Sequence, residues 1–275
     1  MSTSALALQA IIFDVDGTLA DTENYHRQAF NDAFGEFDLD WHWSAADYVS
    51  LLAISGGRER IREYASKHLK PKLSATATRD LALRMHQRKS EIYREKLVAG
   101  HIGFRDGVMR LINEARHRRL HLAIATSTSS PNVDTLLHNA LGVPPESIFE
   151  AIVTSDIVVD KKPSPAVYQY ALAELGLAPD ECIAIEDTAN GNRAARAAGL
   201  KTIITTHQFT EHHDFSGASL VVDQLGGPQQ PFTVQQGNAH GARYVDIDLL
   251  EILLTGEHYQ TQQSQPAADL LIMAK

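Results

Sequence analysis

Crosslinking by sulfur within the chain is excluded at once, because the 275 residues include a single cysteine, Cys182. One thiol forms no intramolecular disulfide, which fits a reducing compartment such as the cytoplasm. Cys182 opens an apolar run and reads as a buried structural thiol. Positive charge is also in short supply. Twenty-five lysines and arginines face 34 acidic residues, a formal net charge of -9. That deficit argues against broad nucleic-acid binding or an anionic membrane surface. It leaves small anionic ligands open, since local charge or a metal ion overrides the total. No stretch of about 18 apolar residues exists to span a bilayer. The opening Met1-Ser2-Thr3-Ser4 lacks a basic leader region, so no signal or transit peptide is expected. No internal repeat is present either. What remains is a chain long enough to bury a sizeable core, as one large domain or a core plus an insert.

The most informative stretch is Ile11-Ile12-Phe13-Asp14-Val15-Asp16-Gly17-Thr18. An unbroken apolar run reads as a strand buried on both faces, and therefore as a central parallel strand. It stops at two carboxylates spaced i, i+2. In open α/β sheets chemistry sits just past the carboxyl ends of such strands, where Asp14 and Asp16 fall. Gly17 lets the chain turn there without a Cβ penalty.

The next eighty residues read as helices only, at roughly 22–35, 45–53, 58–70 and 77–98. In the third, Ile61, Tyr64, Ala65 and His68 share one face, which makes His68 a packed core histidine. Pro71 ends that helix. An α/β alternation follows. A crossover helix carries Val108, Leu111, Ile112 and Ala115, and His121–Ala125 reads as a strand. Further strands are expected at 151–153, 183–186, 201–205 and 219–222, with helices at 165–176 and 190–198. This pattern predicts a parallel sheet with helices on both faces. From Gly226 the composition shifts to a linker-like Gly226-Gly227-Pro228-Gln229-Gln230-Pro231. Val245–Leu254 is apolar enough for one packed element, and the tail after it carries no assignable structure.

Four short motifs end predicted strands in order: Asp14-Val15-Asp16-Gly17-Thr18, then Thr126-Ser127, then Lys161-Lys162-Pro163, then Glu186-Asp187. Singly each has an ordinary explanation, such as a helix cap for Thr126 or a solvated end for Glu186-Asp187. Together, in this order, they are similar to the signatures of the haloacid dehalogenase-like phosphohydrolases. The resemblance runs to about residue 225. It implies a Rossmann-like parallel core of order 3-2-1-4-5, formed by residues 1–20 and 99–225. It also implies an inserted all-helical cap over 21–98, leaving 226–275 as an extension of unknown role.

The same resemblance implies Asp14 as nucleophile and Asp16 as acid/base. A carboxylate is already ionised at neutral pH and attacks phosphorus without help from a base. Asp16 protonates the leaving oxygen and then takes a proton from water, which requires a raised pKa in its acid role. Lys162 offsets the charge on Asp14. Thr126, Ser127 and nearby backbone N–H groups hold a phosphoryl oxygen. Mg2+ suits an all-oxygen ligand set beside phosphate, and Asp14, the Asp16 carbonyl, Glu186 and Asp187 are the implied ligands.

In the cap, Asp21-Thr22-Glu23 through His26 and Ser55-Gly56-Gly57-Arg58 resemble the CbbY-type branch of that family. Its activity is hydrolysis of xylulose 1,5-bisphosphate, an inhibitor of the carbon-fixing carboxylase. The branch implies Gly57 and Arg58 as phosphate contacts and Glu23 and His26 as sugar contacts. The partner is then a small sugar phosphate, with no nucleic acid or membrane, on a monomer or weak oligomer. Two alternatives remain: a β-phosphoglucomutase-like isomerase and a non-catalytic phosphosugar-binding protein. Ser129-Ser130, where β-phosphoglucomutases place Lys-Asn, weakens the first. The intact acids and lysine weaken the second. His207, His212 and His213 read as a polar loop in preference to a transition-metal site.

Overall fold

The computed structural model describes residues 7–100 and 102–256. The first six residues and the tail beyond Gly256 lie outside the described residues. The apolar run becomes strand β1, Ala10–Phe13, and every residue in it is buried. It pairs in parallel with β2 (His121–Ala125) on one side and β4 (Cys182–Glu186) on the other. The sheet continues through β3 (Ala151–Val153), β5 (Lys201–Thr205), β6 (Leu220–Val222) and β7 (Val234–Gly237) in the order β3-β2-β1-β4-β5-β6-β7. The expected 3-2-1-4-5 order is present, with two further strands at one edge. Only β7 runs antiparallel.

Side chains alternate across this sheet, and the two faces differ in bulk. Ile11, Phe13, Ile124, Ile183, Ile185 and Ile203 face one cluster. They pack on α5 (Val108–His117), α6 (Ser130–Leu141) and α9 (Ile247–Thr255). The other face carries Ala10, Ala123, Ala125, Cys182 and Ala184 with Ile12. These small residues let α7 (Ala166–Leu175) and α8 (Ala189–Ala197) approach the strands, and Tyr168 fills the space between. Cys182 is buried, and burial pushes its thiol up to about 12, so it is an inert packing residue.

Between β1 and α5 lie the four helices of the cap: α1 (Glu23–Glu36), α2 (Ala45–Leu51), α3 (Gly57–His68) and α4 (Ala75–Gly100). Their own core is aromatic, built on Phe30, Phe34, Trp43 and Tyr48 with Ile61 and Met85. Ser44 caps α2 reciprocally with Asp47. His68 departs from the expected packed position. It is the last residue of α3, it is exposed, and it stacks on Tyr64 with ring centroids 4.0 Å apart. The helical stripe is real, with Ile61 and Ala65 buried, but it reaches the surface at His68.

The segment from Gly226 is no loose linker. Gly227 and Gln230 exchange backbone hydrogen bonds of 2.8 and 3.1 Å in a tight turn, after which β7 returns along β6. Helix α9 is N-capped by Asp246 and buries Ile247, Leu249, Leu250 and Leu254 in the larger cluster. Lys201 donates to the carbonyls of Leu253 and Leu254 at its far end.

Arg105, just before α5, ties the top of the sheet together. Its guanidinium donates to the carbonyls of Gly17, Thr205, Thr206 and Asp223 and to the Thr205 hydroxyl. Its own N–H bonds Leu19 at 2.8 Å. One side chain thereby satisfies backbone groups from three loops at the sheet's carboxyl end. Among the described residues no helix is long and apolar enough to cross a membrane.

Candidate active site

The four strand ends converge. Asp14, Thr126, Lys162 and Asp187 line one cavity between the sheet's carboxyl edge and the cap. Asp14 leaves β1 with its N–H bonded to Ile185 of β4 at 3.0 Å. Gly17 turns the chain at φ +86°, and any side chain there would collide with Asp187 and His207. Lys162 reaches back from the following loop. Its ammonium lies 2.6 Å from Asp14 Oδ1 and 2.8 Å from the Ala125 carbonyl, and it also bonds Glu186 Oε1. Burial opposes that charge, but Asp14 and Glu186 outweigh it and hold the ammonium above its ordinary pKa.

Glu186 is fully buried and accepts hydrogen bonds at both oxygens. Oε1 accepts from Lys162 and from the Tyr168 hydroxyl at 2.6 Å, and Oε2 accepts from the Asp187 N–H at 3.1 Å. Its visible work is to aim Lys162. Oxygens of Asp14, Glu186 and Asp187 lie within 4.8 Å of one another. Burial raises the pKa of Asp14, with Glu186 and Asp187 adding to it against the pull of Lys162. Burial likewise pushes Asp187 up to about 6 in spite of His207. Three carboxylates around one ammonium leave negative charge in excess. This buried, all-oxygen set fits a hard divalent cation. Asp14 and Asp187 would hold it, with the Asp16 carbonyl and with Glu186 directly or through water.

Asp16 sits in a different network. Its Oδ1 accepts from Thr22 Oγ1 at 2.6 Å and from the Tyr93 hydroxyl at 3.3 Å, and lies 3.0 Å from His26 Nε2. Its Oδ2 accepts from Thr128 Oγ1. Burial works against the carboxylate, but His26, Thr128 and Thr22 outweigh it and hold its pKa below the ordinary range. The raised pKa expected for an acid role is therefore absent here; this arrangement favours the base form. His26 is itself depressed by burial and by Lys89. Its Nδ1 lies 2.6 Å from the Lys89 ammonium and accepts from it, so a neutral ring donates to Asp16 through Nε2. Burial brings Lys89 down to about 7, although the rings of Phe30 and Tyr93 lie 4.7 and 4.9 Å beneath its nitrogen.

Both ring nitrogens of His26 are thus committed, and the ring lines the cavity beside Asp16. Glu23 lines the cavity and accepts from the Tyr48 hydroxyl at 2.8 Å. Thr126 and Ser127 line the opposite wall, where Thr126 Oγ1 accepts the Thr128 N–H at 3.2 Å. Gly57 lines the cavity too, and a Cβ there would strike His86 and Phe30. Arg58 stands apart from these. It is half exposed, pairs with Glu59 at 3.3 Å and faces an outer groove of the cap. The cations on the cavity wall at that end are Arg60 and Lys161, and Lys161 bonds the other oxygen of Glu59 at 3.1 Å.

Sequence reasoning missed Thr22, Lys89, Tyr93, Thr128 and His207. Thr22 and Thr128 carried a usable signal, since Thr22 lies within the Asp21–His26 stretch and Thr128 directly follows Thr126-Ser127. His207 was read as loop, yet it lies 2.9 Å from Asp187. His212 is exposed. His213 accepts the Ala189 N–H at 3.4 Å, so the three histidines do not share a ligand set.

A mostly parallel α/β core with two aspartates just past its first strand, a lysine paired with the first of them and a helical cap over both is the arrangement of a phosphoric monoester hydrolase. The profile of the haloacid dehalogenase-like hydrolases matches residues 11–205, and the chain belongs to that family. It is 44% identical over 244 residues to the plasmid protein CbbY of Cupriavidus necator, covering 88% of this chain and 95% of the relative. The crystal structure of a CbbY mutant from Rhodobacter sphaeroides in complex with xylulose-(1,5)bisphosphate superposes with a TM-score of 0.74. It is 39% identical, and the match covers 81% of this chain and 98% of that one. A β-phosphoglucomutase from Clostridium difficile matches at a TM-score of 0.65 and 25% identity, over 79% of this chain and 91% of the other.

Proposed function

We propose that the protein hydrolyses a sugar bisphosphate, xylulose 1,5-bisphosphate, to xylulose 5-phosphate and inorganic phosphate through an aspartyl phosphate on Asp14. The observation that carries this reading is the separation of two carboxylates two residues apart. Asp14 is held by an ammonium inside an acidic cluster, and Asp16 is held by hydroxyls and a histidine. The first arrangement suits a nucleophile and the second a proton carrier. Bound Mg2+ would neutralise phosphoryl oxygens that the carboxylates would otherwise repel.

Asp14 attacks phosphorus in line, and the bond to the sugar oxygen breaks. Lys162 meets the charge on the transferred group, and Thr126 with the following backbone N–H groups holds one of its oxygens. Asp16 protonates the departing sugar oxygen. A phosphoryl group that draws Thr128 away from Asp16 removes one stabilising donor, which raises its pKa toward that task. In the second half-reaction water attacks the aspartyl phosphate and Asp16 takes its proton. There the donors around it favour the carboxylate, as found. At the distal end Lys161 meets the second phosphate from the cavity wall, and Arg58 reaches it by exchanging Glu59 for the substrate.

The test is phosphate release from xylulose 1,5-bisphosphate with Mg2+, beside a panel of pentose and hexose phosphates. The bisphosphate is expected to be the preferred substrate, and Asp14→Asn is expected to abolish turnover and acid-stable labelling of the chain. Isomer formation without free phosphate would replace this reading with a mutase. Release from no sugar phosphate would end it.

A further inference from the structure

The turn after β5 touches both the acidic cluster and the interior of the cap. His207 is nearly buried, and its Nε2 lies 2.9 Å from Asp187 Oδ2. Its Nδ1 accepts the Phe209 N–H at 3.3 Å. That acceptor role puts the ring proton on Nε2, so the imidazole donates to Asp187. The other carboxylate oxygen accepts from Thr18 Oγ1 at 3.3 Å. The rotation of Asp187 is thereby fixed from both ends. The turn is also locked on itself: the His207 carbonyl accepts from Thr210 and Glu211 at 2.8 and 3.0 Å, and its N–H bonds Thr210 Oγ1 at 3.2 Å.

Two residues on, Phe209 leaves the core altogether. It is 2% exposed and belongs to the aromatic cluster of the cap. Every other buried member of that cluster comes from residues 21–98. Phe209 meets Tyr48 edge-on, with centroids 5.7 Å apart and ring planes at 85°. Tyr48 in turn holds Glu23 on the cavity wall. A continuous set of contacts therefore runs from Asp187 through His207 and Phe209 to Tyr48 and Glu23.

We propose that the His207–Phe209 turn couples the seating of the cap to the presentation of Asp187 as a metal ligand, with His207 as the positioning residue and Phe209 as the anchor. Seating the cap places Phe209, Phe209 holds the turn, and His207 presents Asp187 in one orientation. Coupling of this kind is reciprocal, so a cation on Asp187 favours the seated cap by the same factor. The proposal rests on the reading of Asp187 as a metal ligand.

The test is calorimetric titration of the full chain with Mg2+ alone, read beside tryptophan emission. Both tryptophans, Trp41 and Trp43, lie in the cap, so emission reports the cap only. His207→Ala is expected to weaken Mg2+ on the order of tenfold, with emission unchanged. His207→Gln keeps an N–H donor and is expected to recover most of that loss, which a merely space-filling role would not require. Phe209→Ala is expected to red-shift the emission and weaken Mg2+ several-fold. Phe209→Leu does the same to a smaller degree and serves if the alanine variant fails to fold. The double variant is expected to bind Mg2+ no more weakly than His207→Ala alone. Unchanged Mg2+ affinity in His207→Ala, a red shift in Phe209→Ala without weaker Mg2+, or additive losses in the double variant would overturn the proposal. Asp187→Asn separates the two levels. If it leaves Mg2+ binding intact, the metal reading falls and the coupling with it; if it abolishes binding while His207→Ala does not weaken it, the coupling alone falls.

Discussion

Asp14 and Asp16 leave the same strand two residues apart and enter opposite surroundings. On the core side, three buried carboxylates cluster, two of them share one ammonium and the third is paired with His207. On the cap side, one carboxylate is surrounded by two threonine hydroxyls, a tyrosine hydroxyl and a histidine backed by a lysine. The core side calls for a cation from outside, whereas the cap side is satisfied by the chain itself. Two identical side chains have their pKa values shifted in opposite directions because their neighbours differ, and no difference in the residues themselves is needed.

The sharpest way to break this contrast is Lys162→Met. It leaves Asp14 and Glu186 buried without their shared counter-charge, and losing one partner of a buried pair costs about 3–5 kcal/mol. Urea unfolding without Mg2+ is expected to show a loss of that order, and a loss under about 1 kcal/mol would mean the carboxylates are solvated after all. On the cap side the corresponding change has the opposite sense. Lys89 titrates at about 7 in the folded chain, against about 10.4 when unfolded. Between those values the unfolded chain binds more protons, so this group makes stability rise with pH across that window and opposes folding fully below it. Lys89→Met is expected to flatten the rise between pH 7 and 10, measured as urea midpoints; an unaltered profile would show that Lys89 is solvated. The smallest effect is expected at the rim. Arg58 is half exposed and already paired, so Arg58→Ala should raise KM for a bisphosphate by about fivefold, roughly 1 kcal/mol. A monophosphate should be affected far less, and equal effects on both would remove Arg58 from the distal phosphate.

Much of this site was legible because its residues mark the ends of strands. A buried strand announces itself as an apolar run, and the first polar residue after it has only the sheet's carboxyl edge to occupy. Asp14, Thr126 and Glu186-Asp187 were found in that way. Lys89 and Tyr93 were not. They belong to a 26-residue helix whose polar positions look alike in sequence, and only the crossing of α4 over α1 brings them to His26 and Asp16. His207 was invisible for a related reason: its partner lies twenty residues earlier, across β5. His68 shows the converse failure, since helical spacing states which residues share a face and leaves open how far the neighbouring helix extends. Strand β7 could not be read because all four of its residues are exposed and show no alternation. The sign of the Asp16 shift was missed because His26 was read as a sugar contact, and Thr128 and Thr22 were not read as donors to that carboxylate.

Arg105 has a bearing on how such a protein can vary. A single planar cation gathers carbonyls from the loops that follow β1, β5 and β6, so a lengthened loop at any of these points would have to detour around that hub or abandon it. Lysine, with one nitrogen, would not span the same acceptors. Change is thereby steered away from this rim and toward the helical insert, where new contacts with a ligand can be tried while the strand-end residues stay where they are.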